Sequence, residues 1–302
     1  MAGSNARDIK RRIRSVTSTQ KITKALQTVS AVKMRKSQAR TLASRPFAEE
    51  SLSLLRRLSG LTSVRHALLK KKNTYRQLVV LISPDRGLTG SLAGNLMRKI
   101  VDLVTKQSTE KKRTTEFIAI GLKAENFIRS SGYVLVSSRR NGPVDVRLAG
   151  QVRDELVRHY LNGPYDKIVV AYTQFINTLQ QRPFVRGILP ITLEKIIDVE
   201  ELPRELLEQP VAFNAADYEL EPSPATILDQ LVPELVSMLI YHALLEAEAS
   251  EHSARMVAMQ NAHDNATDLM AELTQTYNKL RQDSITSALA EISAGVAAQE
   301  VN

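Results

Sequence analysis

Between Pro233 and Gly295 the chain contains neither proline nor glycine, and this uninterrupted run limits its fold more than any other feature. Both residue types break helices, one by lacking an N–H and the other by its backbone freedom. A helix of roughly 70 residues spans on the order of 100 Å. No globular core covers that length, so the run needs a partner along much of it. The same chain offers one. Residues 1–45 hold 12 Lys or Arg against a single acid, Asp8, whereas residues 226–302 hold three basic residues (Arg255, Lys279, Arg281) against 11 Asp or Glu. Two helical ends of opposite sign predict an antiparallel pairing, with a folded domain looping out between them. Function is then to be sought in contacts rather than in a pocket.

Periodicity supports that reading at both ends. Ile9, Ile13 and Val16 stand four and three apart, and Ile22, Leu26 and Val29 repeat the spacing, a heptad-like stripe. Pro46 predicts a kink or restart, after which Leu52, Leu55 and Leu58 continue an apolar face towards a stop at Gly60. This gives an N-terminal coiled-coil helix over 1–60. In the C-terminal segment Ala266, Met270, Leu273, Tyr277 and Leu280 keep a 4-3-4-3 spacing. Ile285, Leu289, Ile292 and Val296 resume it, but only after a step of five. The stripe therefore jumps to a new face near residue 282, which predicts that the helix changes partner there.

The middle of the chain has a different period. Leu78 to Ile82 reads as a strand followed by the turn Pro84-Asp85-Arg86-Gly87, then an amphipathic helix from Ser91 to about Lys106. Phe117 to Gly121 reads as a second strand, with a helix near 122–131, a weak strand at 133–137, and a helix at roughly 145–162. Lys167 to Tyr172 reads as a further strand, and 183–192 as an antiparallel edge strand. Alternating strands and helices predict a small, mostly parallel α/β (Rossmann-like) domain over 76–195. The lysine-rich stretch His66–Asn73 reads as a solvated linker, 196–225 as a connecting loop rich in Pro and acid, and 226–302 as the C-terminal coiled-coil helix. The fold class is thus α/β plus long helices.

Several functions are excluded or left thin. The absence of cysteine removes disulfides, thiolate metal sites and thiol nucleophiles together. The histidines His66, His159, His242, His252 and His263 have no metal-ligand spacing. No nucleophile–base–orienter set stands out, so neither a catalytic residue nor a cofactor is expected. Asp85 to Gly90 sits where phosphate loops sit, yet it matches no phosphate-binding pattern and reads as a tight turn that needs glycine. No apolar run reaches the roughly 20 residues that span a bilayer. The basic first 45 residues share their composition with a transit peptide, but run on into Pro46 without a break. They also suit nucleic acid, which gives the alternative of a coiled-coil nucleic-acid-binding protein.

Particular motifs point further. Lys21-Ile22-Thr23-Lys24-Ala25-Leu26, Lys33-Met34-Arg35-Lys36, the Asp85-Arg86-Gly87-Leu88 turn, the segment from Glu251 to Met259, and Tyr277 to Gln282 with Ser284-Ile285-Thr286 occur in that order. Together they resemble the gamma subunits of rotary (F-type) ATP synthases, over nearly the whole chain. The resemblance implies a central rotor shaft that turns with the c-ring and couples its rotation to the catalytic sites of the alpha and beta subunits. It implies the epsilon subunit as a further partner, a single copy per complex, no nucleic acid, and no cofactor or catalysis by the chain alone. It also implies proton-driven ATP synthesis at the membrane periphery. With no transit segment and no redox-type insertion, the bacterial plasma membrane, cytoplasmic face, is the expected place.

The resemblance further assigns contacts. Lys33, Met34, Arg35 and Lys36 match the patch meeting an acidic lever loop of the beta subunit. Arg281 and Gln282 match a pair that bonds a beta-subunit catch loop, and Arg255 and Thr286 match coupling positions. Ile285, Leu289 and Ile292 belong to the tip that turns in an apolar bearing. The chain departs from the pattern at Ala288, where the family has Glu, at Thr28, where it has Met, and at Pro84, where it has Ser.

Overall fold

The computed structural model describes residues 2–59, 66–111, 113–191 and 223–300. The chain forms two compact units, one of residues 1–31 with 255–302 and one of residues 32–254. Its first helix, α1, runs Ala2–Ser59 and contains Pro46, so the expected restart does not occur. The carbonyl that Pro46 leaves without an amide belongs to Leu42, which is exposed and open to water.

In the smaller unit, α1 lies antiparallel to the last helix of the chain, which spans Pro224–Glu300. Side-chain hydrogen bonds cross between them, stepping up one helix and down the other. Gln20 Nε2 donates to Thr267 Oγ1 (2.8 Å) and Gln27 Nε2 to Gln260 Oε1, while Thr17 Oγ1, which donates to Ile13 O (2.8 Å) on its own helix, lies 3.3 Å from Met270 Sδ. His263 Nδ1 also lies 3.2 Å from the Gln20 carbonyl. The antiparallel coiled coil is as expected, but its seam is not the one the apolar stripe indicated. Ile22 and Val29 are exposed, while Thr23 and Ser30 are buried. The reason is register: from Val16 the step to Ile22 is six residues, which leaves the seam, whereas steps of four and three lead to Gln20, Thr23, Gln27 and Ser30. Thr23 and Ser30 satisfy their buried hydroxyls on the carbonyls of Gln20 (3.0 Å) and Leu26 (2.7 Å). Opposite charge does not stitch the pair. Among the described residues no cation from Arg7 to Lys24 pairs with an acid of the last helix, and Arg11 reaches Asp8 on its own helix (3.3 Å).

The larger unit is built on a five-stranded sheet. Strands β1 (Arg76–Ile82), β2 (Thr114–Ile120), β3 (Val134–Arg139), β4 (Lys167–Phe175) and β5 (Gln181–Leu189) are ordered β3-β2-β1-β4-β5. The first four are parallel and β5 is an antiparallel edge. Helices α2 (Leu92–Lys111), α3 (Leu122–Ser130) and α4 (Val146–Asn162) make the crossovers, and the last helix becomes α5. One face buries Val79, Leu81, Phe117 and Val169 with Leu96, Ile100 and Ile128 from α2 and α3. The other buries Val80, Ile118, Val170 and Tyr172 with Leu156 of α4 and the α5 run from Leu228 to Leu245. Both faces being covered explains the continuous apolar strands.

α5 is long and apolar enough to cross a membrane, a property that a search for one unbroken apolar run does not reveal, and half of its most apolar stretch is buried inside the protein. One further reading changes. The stretch after His66 is no solvated linker: Leu68 is in the core, Lys72 Nζ donates to the Tyr160 carbonyl and lies 4.9 Å over its ring, and Tyr160 Oη donates to Lys70 O (2.6 Å). The three lysines that follow Leu68 conceal its burial in the sequence. Most of the expected connecting loop, with Gly60, lies outside the described residues.

Candidate partner-contact surfaces

The basic cluster on α1 divides by direction. Lys33, Arg35 and Lys36 are exposed, but Met34 is only 7% exposed. Met34 continues the seam register four residues beyond Ser30 and three before buried Ser37, whose hydroxyl donates to Glu248 Oε2 (2.7 Å). A methionine at such a position packs inward and leaves the flanking cations on the surface. Among the described residues none of those three cations forms an ion pair.

The residues of the C-terminal helix also divide. Arg255 is half-buried and already engaged within the chain. Arg281, Gln282 and Thr286 are exposed. Ala266 is buried and Met270, Leu273, Tyr277 and Leu280 are half-buried, so the first stripe faces α1. The second does not: Ile285, Leu289 and Ile292 are 52%, 60% and 64% exposed. Continuing the seam past Leu280 would present Ser284 and Ser287. The five-residue step therefore sets the apolar side chains on a different face, where the described residues give them no cover.

The Asp85 turn is structural. Asp85 accepts from the amides of Leu122 (2.7 Å) and Asn141 (3.0 Å), and Ser83 Oγ from that of Ala124 (2.6 Å), so the turn satisfies the open N-terminus of α3. Its glycine requirement lies at Gly90 (φ 56°), while Leu88 takes φ 64° despite its side chain. Gly121 is the position with no alternative, since a Cβ there would stand 1.9 Å from Ser83 O.

Two features escape sequence reading. Arg76, Glu116 and Tyr165 form a network at the amino-terminal edge of the sheet: Arg76 pairs with Glu116, and Tyr165 Oη donates to its other oxygen (2.6 Å). Burial pushes the Glu116 carboxyl up, but the bonds from Tyr165 and Arg76, with the Arg76 and His159 charges, hold it below its ordinary 4.5. Tyr165 is itself pushed up to about 12, first by burial and then by Glu116. The network joins residues distant in sequence, and no local spacing announces it. The second feature is the turn between β4 and β5. Asn177 Oδ1 accepts from the amides of Leu179 (3.0 Å) and Gln180 (2.8 Å), and Ser253 of α5 donates to Thr178 O (2.7 Å). This scaffold holds Leu179 at 82% exposure. The Asn177 that opens this stretch is a legible turn signal, but the exposure of its leucine is not.

These features define a class: an α/β unit and an antiparallel helical pair whose candidate sites are exposed patches rather than a pocket. A family model described as ATP synthase matches residues 5–299. The ATP synthase gamma chain of Roseiflexus castenholzii is 39% identical over 97% of this chain and 98% of its own length, and that of Herpetosiphon aurantiacus is 41% identical over 98% and 99%. The chain belongs to the ATP synthase gamma-chain family. Its fold is shared with a chain of the solved Euglena gracilis mitochondrial ATP synthase (OSCP/F1/c-ring, rotational state 3), with a TM-score of 0.65 at 21% identity over 98% of this chain and 95% of that one. A chain of the rotor of the same enzyme in rotational state 1 gives 0.62 at 19% identity, over 94% and 99%.

Proposed function

We propose that the chain is the central rotor shaft of a proton-translocating ATP synthase. In this reading it carries c-ring rotation to the alpha and beta subunits, and it makes ATP only through the assembly. The observation that carries the reading is the face change in α5. A helix packed on its companion up to about residue 280, and then bearing an uncovered apolar stripe, suits a tip that turns inside a sleeve of other chains. Within 284–294 the only charge is Glu291, which suits a sleeve without fixed ion pairs. Arg281, Gln282 and Thr286 would reach the beta subunit from the base of that tip, and Lys33, Arg35 and Lys36 would meet an acidic loop. Met34 supports that patch from inside.

The chain would sit as a single copy, with epsilon and the c-ring, at the cytoplasmic face of a bacterial plasma membrane. Family membership gives the nucleic-acid alternative no support. The test is proton pumping driven by ATP hydrolysis in membrane vesicles carrying Leu289→Asp with Ile292→Asp. Assembly retained with pumping reduced several-fold is expected. Unaltered pumping per ATP hydrolysed would overturn the assignment of the tip.

A further inference from the structure

From Leu228 to Leu245, α5 meets the sheet through buried apolar side chains. Contact of that kind resists separation but has no direction, so it opposes rolling or sliding of the helix only weakly. At Ser250 the contact changes character. Ser250 Oγ donates to Thr173 O (2.9 Å) near the carboxyl end of β4, and Ser253 Oγ donates to Thr178 O (2.7 Å) in the turn between β4 and β5. Both serines are fully buried, and at a spacing of three they share one face of the helix. Glu248 faces away from both and accepts from Ser37 of α1 (2.7 Å). α1 is tied to the α/β domain in its turn, since Arg40 Nη1 donates to Val144 O (3.2 Å) just ahead of α4. These bonds close a triangle: sheet to α5, α5 to α1, and α1 back to the domain.

Hydroxyls elsewhere on the two helices behave differently. Thr17, Thr28, Ser30, Thr267 and Thr274 each return theirs to the carbonyl four residues back on the same helix. Such a bond satisfies the hydroxyl and joins the helix to nothing else. Ser37, Ser250 and Ser253 reach across to another element instead. A hydrogen bond is directional, and a buried one strands both partners when it opens. The crossing bonds therefore oppose a relative rotation of helices and domain that the apolar contacts would let pass.

We infer that Ser37, Glu248, Ser250 and Ser253 are positioning residues that fasten both long helices to the α/β domain, so that helices and domain turn as one body. The inference rests on the rotor reading and adds the fastening through which torque passes between domain and helices. The test uses the assembled complex, its alpha and beta subunits fixed to a surface and a bead attached to the α/β domain, whose angular fluctuations report torsional stiffness. Ser250→Ala with Ser253→Ala is expected to lower that stiffness about twofold, because the apolar contacts remain. Protons pumped per ATP hydrolysed in membrane vesicles should fall with it. Ser30→Ala removes a buried hydroxyl that stays on its own helix, and should change neither readout. Ser253→Ala alone should act in the same direction with a smaller effect, and it decides the matter where the double variant fails to assemble. Wild-type stiffness in Ser253→Ala, or an equal fall in Ser30→Ala, would overturn the inference. A wild-type bead that does not turn when ATP is added would instead remove the rotor reading, so the two failures are separable.

Discussion

Met34 and Glu116 carry consequences that their neighbours do not. Met34→Lys would place an ammonium at a position with almost no water. A loss of stability on the order of 2–4 kcal/mol is expected for a charge forced into such a site, read as a lower urea midpoint, whereas Lys33→Met should shift it little. Glu116 sets an acid limit. Its folded pKa is depressed, so its contribution is complete above the ordinary carboxylate value and is lost as pH falls through the folded one. The urea midpoint should therefore fall more steeply below about pH 4.5 in the wild type than in Glu116→Gln. Equal slopes would show that Arg76 and Tyr165 do not hold the carboxylate. Tyr165 works at the other end: its raised pKa gives stability that is complete below the usual phenol value of 10 and is lost as pH rises through about 12.

Among the elements, the helical pair is half legible in the sequence. Helix length and the stripe from Ala266 to Leu280 follow from spacing; the antiparallel sense agrees with the opposite charges of the two ends, although among the described residues no ion pair between the two helices carries it. The companion face on α1 does not, because an apolar stripe ordinarily marks a seam, whereas here the 3-4 register runs through Gln20, Thr23, Gln27 and Ser30. Side chains of this kind lower stability while fixing alignment. Replacing Gln27 and Gln260 together by leucine should raise the thermal midpoint of the helical signal, adding about 1–2 kcal/mol of apolar burial. Gln27→Leu alone should not, since it leaves Gln260 Oε1 without its donor while Gln260 Nε2 stays on Asp264 (2.9 Å). The sheet is more legible, because strands covered on both faces are continuously apolar and the edge strand β5 is interrupted by Pro183 and Gly187. Leu68 is hidden by the lysines that follow it. The Arg76–Glu116–Tyr165 network cannot be read from the chain at all, since its members meet only through the fold of the sheet.

For the molecule as a whole, the uncovered stripe on α5 separates stability from work. Leu289→Asp with Ile292→Asp alters two side chains already in water, so the isolated chain should melt within about 0.5 kcal/mol of wild type while coupled turnover falls. A large loss of stability in the free chain would mean that the stripe is covered internally after all. Family membership is legible at this scale before any detail of the site. A long unbroken run and ordered motifs at both ends already indicate the family to which the chain belongs. Which side chains point outward emerges only from the folded packing.

The neutral seam has one more consequence. Helices held by amides and hydroxyls rather than by opposite charges feel little of the ionic atmosphere, which weakens exposed ion pairs over about 10 Å at 0.1 M. Raising the salt concentration should therefore leave the melting of this joint nearly unchanged while it weakens exposed pairs such as Arg129–Glu125.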